Sequence, residues 1–197
     1  MERNAEMALR HWNERYVQNA ESWLNRPPRQ MLVDWAHVLP ETGVVLDAGA
    51  GVCVNAHFMV ERGLSVIAMD FSEVALRLGV RSESNEKGNL EAVVCNMEKL
   101  ELPDDSLDVI VNFFFLERAN LRVYRRALKE GGVIFLETLL GMDEDKLTPE
   151  YYLQRGELLK TFTGFEIMHW DEGVPCGDKK FSEQLVARKQ LQLERWR

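Results

Sequence analysis

The chain has 197 residues, with 24 Lys plus Arg against 32 Asp plus Glu, a formal net charge of −8 and 46% hydrophobic residues. That length suits one domain and can bury roughly 70% of the surface its unfolded chain exposes, so no disulfide or metal staple is required. The composition excludes a disordered or fibrous chain, and the acid surplus weighs against partners that present phosphates, whether nucleic acid or anionic lipid.

Cys53, Cys95 and Cys176 are scattered, and none has metal-ligand spacing to another cysteine or to His11, His37 or His57. No metal site is expected, and the thiols read as reduced, as in a cytoplasmic protein. The start, MERNAEMALRHWNERY, lacks the apolar stretch of a secretory leader. The longest apolar run, near residues 109–116, is far short of the ~20 residues a membrane span needs.

Ala5, Ala8, Leu9, Trp12 and Tyr16 recur at helical spacing, which predicts an amphipathic helix over residues 4–19. Arg26-Pro27-Pro28 breaks it, and a second helical segment is expected over 30–38, ended by Pro40. Residues 1–40 therefore read as a helical cap on the core formed by 41–197, too short to fold alone. From Gly43 short apolar strands alternate with helices. Strands are expected at 44–46, 64–69, 90–95, 107–113 and 133–138. Helices are expected at 55–62 (closed by Gly63), 72–80 (capped by Ser72), 118–130 (closed by Gly131-Gly132) and 148–161. Two last strands, 165–170 and 181–187, are separated only by a loop containing Gly173, Pro175 and Gly177, and are expected to be antiparallel. The whole predicts an α/β three-layer sandwich, with a doubly wound, mostly parallel seven-stranded sheet and a C-terminal antiparallel hairpin.

The informative stretch is VVLDAGAGVC, residues 44–53. A strand delivers Asp47, Gly49 and Gly51 make a tight turn where backbone can approach a ligand, and a helix follows. Open parallel sheets bind ligands at the carboxyl ends of their strands. Asp70 ends the second strand, where a carboxylate can accept hydrogen bonds from a ribose diol. A dinucleotide fingerprint wants a third glycine where Val54 stands, and an acid beside the turn suits a cationic ligand better than a diphosphate. A nicotinamide-dependent oxidoreductase is therefore disfavoured.

These residues resemble class I S-adenosylmethionine-dependent methyltransferases, over nearly the whole chain and with the Rossmann-like fold of that family. HWNERY, NFFFLER and the GELLKTF…GFEIMHW…DEG tail look like its small tellurite-resistance/thiopurine-type branch. The resemblance implies that Asp47, Ala48, Gly49, Ala50 and Gly51 wrap the methionine part of S-adenosylmethionine. It puts Asp70 and Phe71 at the ribose, Asn96, Met97 and Glu98 at the adenine, and Asn112 and Phe113 near the transferred methyl group. Tyr16, on the N-terminal helix, either packs in the core or closes over the cofactor, and Trp12 and Trp23 carry the same two readings. Two departures stand out: Cys53 where the family often has glycine, and Asn96 where it usually has aspartate.

The implied reaction is an in-line methyl transfer to a small-molecule acceptor, with S-adenosylhomocysteine as product. Asn112 is followed by Phe113, Phe114 and Phe115 and by no proline, which argues against a nucleic-acid base as acceptor. No general base stands out, and His169 reads as a packed strand residue. The alternative is a catalytically silent nucleoside-cofactor-binding or partner-binding module with the same fold. A monomer or a homodimer is expected.

Overall fold

The computed structural model describes residues 2–80, 89–141, 151–177 and 180–191. Helices α1 (Glu2–Gln18), α2 (Ala20–Leu24) and α3 (Gln30–Asp34) precede the first strand. Then follow β1 (Val44–Ala48), α4 (Val54–Val60), β2 (Ser65–Asp70), α5 (Glu73–Val80), β3 (Asn89–Val94), β4 (Leu107–Phe113), α6 (Arg118–Ala127) and β5 (Leu128–Leu140). The chain closes with α7 (Glu157–Thr161), β6 (Phe165–Gly177) and β7 (Lys180–Lys189). The sheet has the order β3-β2-β1-β4-β5-β7-β6. Strands β1 to β5 pair in parallel, and β7 is antiparallel to both β5 and β6.

Successive strand residues point to opposite faces, so each apolar strand feeds two cores. Val45, Val109 and Phe135 pack with Met31, Leu32, Phe58 and Met59 on one face. Their neighbours Leu46, Ile110 and Leu136 pack with Tyr124, Leu158 and Phe162 on the other. Met31 and Leu32 thus tie the N-terminal segment into the first core. After β1 the chain builds outward through β2 and β3, and then returns to place β4 on the other side of β1. That reversal opens a crevice at the carboxyl ends of β1 and β4.

Three expectations change. The sixth helix ends at Ala127, and Gly131-Gly132 lie inside β5 instead of closing the helix. Leu128 already pairs with Leu107, and a Cβ at Gly132 would meet Lys129 O at 2.9 Å and Asp108 O at 3.1 Å, so the glycines serve a bent strand. The helix expected at 148–161 is limited to Glu157–Thr161. Gly156 precedes it at φ 67°, and Leu153 instead bridges Leu140 in parallel; residues 148–150 lie outside the described residues. The last hairpin is antiparallel as expected, but its strands run on through Gly173 and Pro175 to Gly177 with register shifts.

Candidate cofactor site

The turn after β1 is stitched to the end of β2. The amides of Gly49 and Ala50 both donate to Met69 O, at 2.8 and 3.0 Å. Gly51 N donates to Asp70 Oδ2 and Ser72 N to Asp70 Oδ1, each at 2.8 Å. Ser72 Oγ accepts from Ala75 N, capping α5 as its sequence position suggests, and contacts Asn13 Oδ1 at 2.6 Å, which fastens α1 to the site. Gly49 and Gly51 both take positive φ, 76° and 54°. A Cβ at Gly51 would lie 2.9 Å from Tyr16 Oη, and one at Gly49 would lie 2.8 Å from Phe115 Cβ. Two aromatic side chains therefore lie directly over the two glycines. Cys53 shares the left-handed conformation (φ 61°) at the cap of α4, a position where glycine would be unstrained.

The electrostatics of this corner are unusual. Asp47 is 1% exposed, and its Oδ2 has no hydrogen-bond partner among the described residues. Burial first, and then the nearby Asp70 charge, push its pKa from 3.8 to about 7, against the pull of the Ala56 amide. Asp70 is also raised by burial, although the amides of Ser72, Gly51 and Phe71 oppose the shift. Two buried carboxylates facing a closed turn are short of positive charge. Burial and then Asp70 likewise push the Tyr16 phenol upward.

The other expected residues are distributed less evenly. Tyr16 is buried and stacks with Trp12 (5.8 Å) and Trp23 (5.1 Å) over the turn, so it is both a packing residue and a cover. Ala48 and Ala50 are buried beside the glycines, and Phe71 is half-buried. Past β3, Met97 is buried while Asn96 and Glu98 are exposed, and Asn96 Oδ1 accepts from Glu98 N at 2.9 Å. Phe113 is buried at the end of β4. Asn112 is turned the other way, donating from Nδ2 to Tyr124 Oη at 3.0 Å, so any ligand contact there falls to its backbone. His169 lies against Trp35 (5.5 Å) and Gln184 Oε1 (3.3 Å), away from the turn.

Sequence reasoning missed Glu137 and Arg29. Glu137, 1% exposed, lies opposite Phe113 in the β4–β5 register. Arg29 Nη2 and Nε reach its Oε2 at 2.8 and 3.1 Å, and Ser182 Oγ donates to Oε1 at 2.9 Å. The same guanidinium stacks on Phe114 at 4.5 Å, a residue held at φ 60°. A charged residue inside VIFLETLL was the available clue, because a buried acid needs a partner.

Residues 45–132 match the methyltransferase domain family. Over this stretch the chain is similar to S-adenosylmethionine-dependent methyltransferases, and its fold is that of the class I enzymes. A probable S-adenosylmethionine-dependent methyltransferase of Mycobacterium tuberculosis, from each of two strains, is 33% identical over 99 residues. That stretch is 48% of this chain and 35% of the relative, so the match spans about a third of the relative's length. Crystal structures with the same fold include TehB from Haemophilus influenzae (TM-score 0.68, 19% identity, 81% of this chain and 62% of that one). Another is the geranyl diphosphate C-methyltransferase from Streptomyces coelicolor, in complex with S-adenosyl-L-homocysteine (TM-score 0.62, 13% identity, 81% and 78%). Among the described residues no helix is long and apolar enough to cross a membrane.

The corner fits the cofactor of this domain on its own terms. S-adenosylmethionine carries a sulfonium and an ammonium, and the unpartnered Asp47 oxygen is a buried acceptor for positive charge. The two side-chain-free turn positions let Tyr16 and Phe115 close over the turn beside that acceptor.

Proposed function

We propose that the chain transfers a methyl group from S-adenosylmethionine to a small-molecule acceptor in the cytoplasm, by in-line displacement. The observation that carries this reading is the buried carboxylate of Asp47, with one oxygen unpartnered behind a turn of two left-handed glycines. Asp47, Ala48, Gly49, Ala50, Gly51 and Tyr16 would hold the amino-acid part of the cofactor. Asp70 and Phe71 would hold the ribose, Asn96, Met97 and Glu98 the adenine, and Asn112 and Phe113 the reacting end. When bound, the cofactor supplies an electrophilic methyl group whose reactivity resides in its sulfonium.

The chain's own residues bind, orient and keep water out. Asp47 balances the ligand's positive charge in a site with little competing solvent. Tyr16 and Phe115 cover the turn and exclude water. Phe113, Phe114 and Phe115 form an apolar wall suited to a small acceptor, with Arg29 and Glu137 fixing the chain beside it. A soft nucleophile such as a thiolate or a chalcogen oxyanion, in keeping with the tellurite-resistance/thiopurine-type branch, needs no general base from the protein. The protein acts as a monomer or a homodimer.

Isothermal titration with S-adenosylhomocysteine tests the cofactor reading. Saturable binding that weakens more than tenfold in Asp70→Ala is expected. No heat at millimolar ligand, or unchanged binding in Asp70→Ala, refutes it. A second reading, a nucleoside-binding module without transfer, draws support from Asn96, whose amide oxygen is already committed to Glu98 N. A panel of thiol, oxyanion and amine acceptors with radiolabelled methyl donor separates the two: transfer to any acceptor supports the enzyme, and binding without transfer supports the module.

A further inference from the structure

Three glutamates from three elements close on one short stretch of chain at the start of α7. Glu157 Oε2 accepts from Gln154 N at 2.9 Å, Glu172 Oε1 accepts from Gly156 N, and Glu183 Oε1 accepts from Leu158 N at 3.3 Å. Alternate amides of residues 154–158 are thus held by carboxylates from α7, β6 and β7. Leu153, just before this stretch, bridges Leu140 at the end of β5. Arg118 opens α6 after the β4 phenylalanines, and reaches Glu157 Oε1 at 2.6 Å and Tyr152 O at 2.8 Å. The stretch therefore borders the carboxyl ends of β4 and β5.

The three acids are not balanced by cations. Arg118 pairs with Glu157 and Arg155 with Glu172, while among the described residues no Lys or Arg pairs with Glu183. Glu183 is fully buried; Trp170 Nε1 also donates to its Oε1, at 2.9 Å, and its Oε2 has no hydrogen-bond partner among the described residues. Glu172 stands directly opposite Glu183 in the β6–β7 ladder, Glu157 faces it from α7, and β5 sets the uncharged Thr138 across from it. Like charges directly opposite one another in an antiparallel pair are destabilising. Burial first, and the facing Glu172 and Glu157 charges after it, push the Glu183 carboxyl from 4.5 to about 7, against the Trp170 and Leu158 donors.

We infer that the cross-strand pair Glu172–Glu183 is a proton-operated lock on residues 154–158, closed while the pair holds a proton and loosened once that proton passes to solvent. In the closed form Glu183 is neutral, and the charge of Glu172 is met by Arg155 and the Gly156 amide. Loss of the proton leaves two carboxylates opposite each other, one of them fully buried, and opening the stretch hydrates both. The closed stretch holds a proton that the opened one releases between about pH 4.5 and 7, so its stability against opening falls as pH rises through that window. The lock rests on these contacts alone and stands whether or not the chain transfers methyl groups. On the methyl-transfer reading, it makes the order of the chain beside the acceptor wall depend on pH near neutrality.

Hydrogen exchange on the full chain, followed by mass spectrometry between pH 5.5 and 7.5 and corrected for the intrinsic exchange rate, reads this opening directly. The peptide covering residues 154–158 is expected to lose protection by about tenfold over that range, within the ~20-fold that the lifted carboxyl allows. Glu183→Gln, neutral at every pH, is expected to flatten that rise while a β4 peptide over residues 107–113 behaves as in the parent. Glu172→Gln removes the facing charge and leaves Glu183 in place, and is expected to reduce the rise about twofold. It keeps the lock testable if Glu183→Gln does not fold. The lock is overturned by a parent that shows no rise, or by a rise that survives Glu183→Gln or Glu172→Gln at the parent's size. It is equally overturned if Glu183→Gln changes the 107–113 peptide as much as the 154–158 one, which marks a global effect. S-adenosylhomocysteine takes no part in the measurement, so each of these outcomes leaves the cofactor reading as it stands.

Discussion

Replacing Asp47 with Asn tests whether the burial of this carboxylate opposes folding and serves the proposed ligand. In the folded chain the carboxyl is lifted from 3.8 to about 7. At pH 8 that lift corresponds to about 4 kcal/mol against the ionised native state. Asn has the same shape and no charge, but its amide leaves donors without partners, at a cost of ~1–3 kcal/mol. The ligand-free variant is therefore expected to be more stable than the parent at pH 8 by about 2 kcal/mol. For a chain of this length that is a Tm increase of roughly 4–8 °C. The native state holds a proton that the unfolded state has released between pH 4 and 7, so parent stability falls as pH rises through that window. The advantage of Asp47→Asn should vanish near pH 5, where the native carboxyl is protonated and the unfolded one still largely ionised, so that only about 1.6 kcal/mol of the penalty remains, about what the unpartnered amide costs. Thermal and urea melts at pH 5 and 8 measure this. The reasoning is refuted by a variant less stable than the parent at pH 8, or by a difference that does not shrink at pH 5. Saturating S-adenosylhomocysteine is expected to reverse the order, since ligand stabilises only the form that binds it.

Two other substitutions test the frame around the site. Arg29→Ala leaves Glu137 buried without its cation, and is expected to cost about 2 kcal/mol, below the full value for a buried pair because Arg29 is 38% exposed. Adding Glu137→Gln should recover at least half of that loss in urea melts, and no recovery would show that the pair's charge is not what matters. Gly79→Ala would gain about 1 kcal/mol in an open helix. Here the new Cβ would stand 2.5 Å from Val52 O, so a loss of about 2 kcal/mol is expected, and a stabilised variant would disprove the tight α5–turn contact.

The elements that were legible in the sequence share a local origin. Val45-Leu46 and Val109-Ile110 are apolar on both strand faces, and only a strand covered on both sides needs that. The glycine turn, Asp70 at the end of β2 and the Ser72 cap were also legible, because a turn, a strand end and a cap each demand a residue type within a few positions. Element ends were less so. Helix and strand propensity could not place the junction at Ala127 and Leu128, where pairing with Leu107 decides it. Nor could they limit α7, which is set by the Leu140–Leu153 bridge.

The sequence by itself determined the layered α/β architecture, the place of the glycine turn and the acids beside it, because these follow from short-range periodicity and backbone stereochemistry. Only the tertiary structure decided which side chains meet there. Arg29 reaches Glu137 across 108 positions, Phe115 covers Gly49, and Asn112 turns to Tyr124 instead of the crevice. Such meetings depend on strand order and on the side to which each strand's alternation falls. Both are settled when the two cores close, and neither is written in any stretch of adjacent residues.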